Sequence, residues 1–229
     1  MQTEKSLSIV IPCYNESQTV RVLLERVLAV TAPQWQLEVV VVDDCSQDGT
    51  REILREFESR VTVLYQERNG GKGTAVRAGL SRASGEYVLI QDADLEYDPE
   101  EIPTLLAQLT QADVVYGSRN LRPRERAGGL IPRLGVWFIT KLINVLHNLN
   151  LTDVWTCYKL FPRVAADAFL AGGFESELLF TTALARRGYV FKEVPISYHP
   201  RDGSQGKKIR YRDGIYAIVV LVIDRIRYW

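Results

Sequence analysis

Five short apolar runs, at 7–12, 38–42, 61–65, 87–90 and 113–116, alternate with segments of helical period, and this alternation constrains the fold most. The runs are rich in Val and Ile, as in Val39-Val40-Val41-Val42, the composition of strands buried on both faces. Between them apolar residues recur at helical spacing, as Val20, Leu23, Leu24, Val27 and Leu28 do within 16–30. Ser46 or Asp48 can cap a helix running to about residue 59. Gly70-Gly71-Lys72-Gly73 turns the chain into a helix at 74–83, and Pro99 opens one at 99–109. The alternation predicts an α/β fold, a mainly parallel sheet with helices on both faces. Right-handed crossovers then bring four strand ends to one edge: Pro12, Asp43-Asp44, Asp92-Asp94 and Gly117-Arg119. Open α/β sheets take their ligands at that edge.

Beyond residue 120 the pattern loosens. Helical spacing returns at 132–149, 175–187 and 211–229, and strands are expected at 157–161 and 190–198, the latter at a sheet edge because of Pro195. The expected division is a domain of 1–210 and a C-terminal amphipathic helix of 211–229, packed on the domain, on a partner or on a membrane surface. Hydrophobic residues make up 46% of the 229, enough for a well-buried domain and too many for disorder. Lys plus Arg and Asp plus Glu both number 28, so no nucleic-acid partner is indicated. Basic residues concentrate at 119–133 and 200–227, which suits an anionic ligand, a membrane surface or a solvated face. Cys13, Cys45 and Cys157 have neither disulfide-framework nor zinc spacing. With no leader at the polar start and no apolar run of the ~18 residues a spanning helix needs, a cytoplasmic protein, peripheral on the membrane's cytoplasmic face, is expected.

The Asp92-Ala93-Asp94 turn with Glu96 carries the most chemistry. Carboxylates at the end of a buried strand suit a hard divalent cation, although such a turn can also serve only to cap the strand and the next helix. Tyr14 could stack on a base or pack in the core. Asp44 could accept from a nucleoside or cap a helix, and Lys72 could meet a phosphate or stay in solvent. Together these parts describe a site for a nucleotide diphosphate and its metal.

Five segments carry a family resemblance: Ser8-Ile9-Val10-Ile11-Pro12-Cys13-Tyr14-Asn15-Glu16, Val41-Val42-Asp43-Asp44-Cys45-Ser46, Gly71-Lys72-Gly73-Thr74-Ala75, Gln91-Asp92-Ala93-Asp94-Leu95-Glu96 and Gly117-Ser118-Arg119. They resemble the family 2 glycosyltransferases of the GT-A fold, and within them the dolichol-phosphate mannosyltransferase and polyprenyl-phosphate glucosyltransferase branch. Leu151 to Phe161, Glu193 to Tyr198 and Gly206-Lys207-Lys208 resemble later segments of that branch. The resemblance implies metal-dependent, inverting transfer of a hexose from a GDP-mannose- or UDP-glucose-type donor to a polyprenyl phosphate. The alternative is a GT-A enzyme with a soluble hydroxyl or saccharide acceptor. It implies that Pro12, Tyr14, Glu16, Val42 and Asp44 hold the nucleoside, with Lys72, Asp92 and Ala93 completing the donor site. Asp92, Asp94 and Glu96 would bind Mg2+ or Mn2+. Arg119, Arg133, Arg201 and Lys207 would receive the acceptor phosphate, with Asp94, Arg119 and Arg133 closest to the chemistry.

Two positions depart from the branch. Glu96 stands where the mannosyltransferases commonly carry Gln, and Cys45 where Gly or a small polar residue is usual, a change the turn should tolerate. A phosphate monoester is already anionic near neutral pH. As nucleophile it needs no base, only Arg to position it and to offset repulsion from the diphosphate. Arg122, Arg124 and Arg126 are expected in a solvated loop. The helices at 132–149 and 211–229 combine aromatic and basic residues, which suits a membrane surface, a membrane-protein partner or a homodimer contact.

Overall fold

The computed structural model describes residues 5–122, 130–170, 172, 175–200 and 211–227. Among the described residues, seven strands and seven α-helices follow in chain order: β1 (Lys5–Cys13), α1 (Val20–Ala29), β2 (Trp35–Asp43), α2 (Thr50–Arg55), β3 (Thr62–Tyr65), α3 (Lys72–Arg82), β4 (Tyr87–Ile90), α4 (Ile102–Leu106), β5 (Val114–Ser118), α5 (Leu130–His147), β6 (Lys159–Pro162), α6 (Glu175–Arg186), β7 (Phe191–Pro195) and α7 (Tyr211–Arg227). The strands form one sheet in the order β3-β2-β1-β4-β6-β5-β7. All pairs are parallel except those of β6, which runs antiparallel to β4 and β5. β7 lies at the sheet edge and ends at Pro195, where the missing N–H costs no ladder bond.

Both faces of the sheet are buried, as its β-branched runs require. In β1, Leu7, Ile9, Ile11 and Cys13 enter one core with Leu23 and Leu24 of α1 and Leu105 of α4. Val10 enters the opposite core with Val76 of α3, Ile139 and Ile143 of α5 and Leu178 of α6. Each such side chain contributes roughly 1.5–3 kcal/mol relative to exposure. Helix α3 lies so close to β1 that a Cβ on Gly79 would sit 2.4 Å from Val10 Cγ1. A larger residue there would have to push the helix off the sheet.

Some elements differ from expectation. The helix expected at 99–109 is a 3₁₀ turn, α4 and a second 3₁₀ turn, with Asp98 Oδ1 accepting from Glu100 N at 2.9 Å. Pro103 in the first turn of α4 has no N–H to extend a helix backwards. Helix α7 packs on the domain: Leu221 is buried, and Asp224 Oδ2 accepts from the Thr182 hydroxyl of α6 at 3.0 Å. The expected boundary at 210 borders 201–210, outside the described residues. Among the described residues no helix is long and apolar enough to cross a membrane.

Candidate active site

A cavity of about 290 Å³ opens at the carboxyl ends of β1, β2, β4 and β5. Pro12, Tyr14 and Glu16 reach it from the end of β1 and Asp44 from the end of β2. Lys72 comes from the first turn of α3, Asp92, Ala93, Asp94 and Glu96 from the turn after β4, and Arg119 from the end of β5. A larger groove, about 530 Å³, lies at the opposite edge of the sheet beside Val27, Val39 and Val61 and holds no convergent acidic turn. Val42 does not line the site cavity. Its side chain is fully buried beneath α3, with Cγ2 only 3.1 Å from where a Cβ on Gly79 would sit. Asp44, just past the end of β2, is the residue of this segment that lines the cavity, while Asp43 is fully buried and accepts from Ser46 N and Arg51 Nε.

The acidic turn is built by local hydrogen bonds. Asp94 Oδ1 accepts from Glu96 N at 3.0 Å, the side chain closing its own turn. The Thr19 hydroxyl lies 3.1 Å from Ala93 O and 3.0 Å from Glu16 Oε2, tying the turn to the β1 loop. Tyr198 donates to Glu96 Oε2 at 3.1 Å, and His199 N donates to Glu96 O at 3.0 Å. Asp92 pairs with Lys72, Oδ1 to Nζ 2.6 Å. Asp92, Asp94 and Glu96 therefore each have a different protein contact. Among the described residues no three His, Cys, Asp or Glu converge closely enough to hold an ion by themselves. Asp92 and Asp94 nevertheless suit a cation such as Mg2+, which is usually held by one or two carboxylates and completed by substrate phosphates and water.

Lys72 leads from the cavity into the core. Its Nζ lies 2.9 Å from Glu177 Oε1 of α6 and donates to Cys157 Sγ at 2.8 Å. Glu177 Oε2 in turn pairs with Lys159 Nζ of β6 at 3.0 Å. Lys159 also donates to the carbonyls of Val154, at 3.3 Å, and Thr156. Burial alone would push the Lys72 ammonium down, but the Asp92 and Glu177 carboxylates raise it well above the usual lysine value. Burial pushes Glu177 up, yet Lys72 and Lys159 outweigh it and bring the carboxyl down to about 2. Burial beside Asp92 and Glu177 raises the Cys157 thiol, which stays protonated.

A pH dependence follows. Glu177 falls from an ordinary 4.5 to about 2 on folding, so its stabilisation is complete above about pH 4.5 and is lost as pH falls toward 2. Melting temperature should drop through that window, and Glu177→Gln should flatten the drop. Circular dichroism melts between pH 7 and 2.5 check this.

The glycine turn is pinned by Asp44, whose Oδ1 and Oδ2 accept from Gly70 N and Gly71 N, both at 2.8 Å. Burial raises the Asp44 pKa, and these two N–H groups only partly offset it. Gly71 has φ 83°, and a Cβ on Gly73 would sit 2.6 Å from Gly172 O, so α3 starts tight against α6. Cys45 has φ 66°, in the left-handed region that favours glycine. Its Sγ donates to Glu67 O at 3.5 Å.

Arg119 is fixed by the fully buried Asp153. Its Nε and Nη2 donate to the two carboxylate oxygens at 2.7 and 2.8 Å, its backbone N donates to Oδ2 at 3.1 Å, and Nη2 also donates to Trp155 O. Burial opposes the charge, but Tyr97 and Asp153 hold the guanidinium well above its ordinary value. Its carbon lies 5.2 Å from the Tyr198 ring centre. Arg122, expected in a solvated loop, pairs with Glu101 at 3.1 Å and donates to Ser197 Oγ at 2.6 Å. Arg133 falls on α5, its side chain outside what is described, while Arg124, Arg126, Arg201 and Lys207 lie outside the described residues.

The edge of a parallel-rich α/β sheet thus gathers an acidic turn, a glycine-rich helix start and a half-buried arginine. Residues 8–170 match the family described as Glycosyl transferase family 2, and the chain belongs to it, a glycosyltransferase of the GT-A fold. It is 29% identical over 232 residues to an undecaprenyl-phosphate 4-deoxy-4-formamido-L-arabinose transferase of Edwardsiella ictaluri, covering 98% of this chain and 68% of that protein. With the transferase of the same name from Pectobacterium atrosepticum it shares 39% over 173 residues, 72% of this chain and 51% of that one. Glycosyltransferase AglJ of Haloferax volcanii is 31% identical over 222 residues, 93% of this chain and 70% of that one. The chain thus spans 51–70% of the length of these curated relatives. Among solved structures, glucosyl-3-phosphoglycerate synthase from Mycobacterium tuberculosis in complex with UDP superposes with a TM-score of 0.74 at 18% identity, over 96% of this chain and 80% of that one. The same enzyme has been crystallised with Mn2+, UDP and phosphoglyceric acid. S. aureus TarS 1-349 in complex with UDP gives a TM-score of 0.64 at 21% identity, over 94% of this chain and 64% of that one.

Proposed function

We propose that this chain moves a glycosyl group, with inversion, from a nucleotide diphosphate-sugar to a polyprenyl phosphate, using Mg2+ or Mn2+. One observation carries the reading: the acidic turn and a half-buried, carboxylate-fixed arginine face the same cavity. The first suits a donor diphosphate with its cation, the second an anionic acceptor. The names of the curated relatives, transferases to undecaprenyl phosphate, support the lipid acceptor.

In this reading Tyr14 and Glu16 flank the nucleoside, and Asp44 acts by shaping the glycine turn. Lys72 meets the diphosphate. Asp92 and Asp94 would hold the cation, which would stabilise negative charge building on the leaving nucleotide. Arg119, fixed by Asp153, orients the acceptor phosphate for in-line attack and offsets repulsion between the two anions. Glu96, held by Tyr198, positions the 197–199 segment against the acidic turn. A thermal-shift panel tests the donor half. UDP or GDP with Mn2+ should raise the melting temperature, since a ligand of the native state alone must stabilise it. No shift with any nucleotide diphosphate would remove the reading.

The apolar outer face fits a peripheral membrane contact. Helix α5 exposes Leu134, Trp137, Phe138 and Val145, and α7 exposes Tyr216, Val219, Val222, Ile223 and Ile226. Such helices bind lipid headgroup regions through apolar area and basic residues. Co-sedimentation with anionic vesicles should fall on Trp137→Ser; sedimentation unchanged by that substitution would point away from α5.

A further inference from the structure

Lys159 and Glu177 lie outside the cavity wall, and the proposed chemistry touches neither. Lys159 is fully buried in the middle of the sheet, between Ile90 of β4 and Tyr116 of β5. Glu177 is 1% exposed on the inner face of α6. Burying two ions is costly unless each is paired and hydrogen-bonded. Here they are: the Lys159 ammonium spends its protons on Glu177 and on the carbonyls of Val154 and Thr156. The second oxygen of Glu177 does not turn back into the core. It faces Lys72 Nζ at 2.9 Å, and Lys72 alone of the three reaches the cavity. The row Lys159–Glu177–Lys72–Asp92 is thus a chain of alternating charge with one end sealed in the sheet and one end open at the site.

We propose that Glu177, backed by Lys159, is a positioning residue for donor binding: it holds the Lys72 side chain aimed at the nucleotide diphosphate. The reasoning is geometric. Lysine is a flexible stem with a strongly hydrated point charge. If Asp92 alone restrained it, engagement of Asp92 by a cation would free the ammonium to swing away. Glu177 supplies a second, buried anchor that ligands entering the cavity do not displace. Lys159 neutralises the far side of Glu177, so the carboxylate remains ionised without needing solvent. Neither Glu177 nor Lys159 touches the ligand; both act through Lys72. This inference rests on the donor assignment above.

Binding of UDP and GDP, and of uridine and guanosine, to the full chain with Mn2+ tests it by calorimetry. The native chain should bind one diphosphate more tightly than its nucleoside; if it binds neither diphosphate, the donor assignment itself fails. Given that binding, Lys72→Met and Glu177→Gln should each weaken the diphosphate about ten-fold, the scale of one charge-assisted hydrogen bond. Nucleoside affinity should stay within about two-fold, a selectivity that a merely structural role would not produce. In the Lys72→Met background, Glu177→Gln should add nothing, because the pair acts as one unit. Should Glu177→Gln alone misfold, the Glu177→Gln, Lys159→Met double variant removes both buried charges together and should show the same selective loss. A folded variant that keeps native diphosphate affinity, or that loses nucleoside and diphosphate equally, overturns the inference.

Discussion

Asp94→Asn should lower the transfer rate at saturating donor by about 10²–10³-fold while the protein stays folded. Asparagine keeps an oxygen that can accept from Glu96 N, so the turn closed by that 3.0 Å bond survives. What disappears is the negative charge of one of the two cavity carboxylates assigned to the cation. Of the pair, Asp92 already has the Lys72 ammonium at 2.6 Å. Asp94 and Glu96 add further negative charge at the turn that would draw a divalent cation. Stabilising a leaving diphosphate is a several-kcal/mol effect, and each ~1.4 kcal/mol is a factor of ten in rate. Steady-state rates at several Mn2+ concentrations, with a melting curve for each protein, measure it. Turnover that survives the substitution would mean that the turn holds no catalytic cation.

The second large effect is on stability. Asp153→Ala should destabilise the fold by about 3–5 kcal/mol, the cost of leaving a buried charge unpaired. Asp153 is fully buried and accepts three hydrogen bonds from Arg119, two from the guanidinium and one from the backbone. For a chain of this size that corresponds to a melting temperature lower by roughly 10 °C. Arg119→Lys separates the structural from the binding role. It keeps a cation near Asp153 but loses the planar fork. Stability should fall less, while KM for the polyprenyl phosphate rises about ten-fold or more and KM for the nucleotide-sugar stays put. If both KM values move together, Arg119 does not serve the acceptor alone.

The sheet edge was legible because it depends on few rules. Strands with two buried faces and helical connections leave little choice but a parallel-rich sheet, and right-handed crossovers align the ends. Pro12, Asp44, Asp92, Asp94 and Arg119 meet at one cavity for that reason. Strand β6 was read as a strand, but its direction was not legible. Cys157 to Phe161 carries no mark of which way it enters the sheet, and the long α5 connection permits either sense. That antiparallel insertion places Cys157 at the cavity and Lys159 under α6. Lys159, two residues before Phe161 in a buried strand, is the available signal, and its natural partner is an acid on the inner face of a covering helix. Glu177 is that acid, but the apolar spacing of α6 hides it among Leu178, Phe180 and Leu184. Val42 enters the nucleoside set only through the family resemblance; its side chain is packed under α3 at Gly79, a depth the sequence does not mark. Asp153 carried no local signal, since its partner lies 34 residues away.

The central claim is transfer of sugar to a lipid-linked phosphate. The most direct measurement incubates the chain with radiolabelled UDP- and GDP-sugars, Mn2+ and undecaprenyl phosphate in detergent or vesicles, then partitions the product between water and organic solvent. Label should move into the organic phase, only when lipid phosphate is present, and in a form released by mild acid as expected of a glycosyl phosphate. Label that stays water-soluble with every donor, or that moves onto a soluble hydroxyl acceptor instead, would contradict the account.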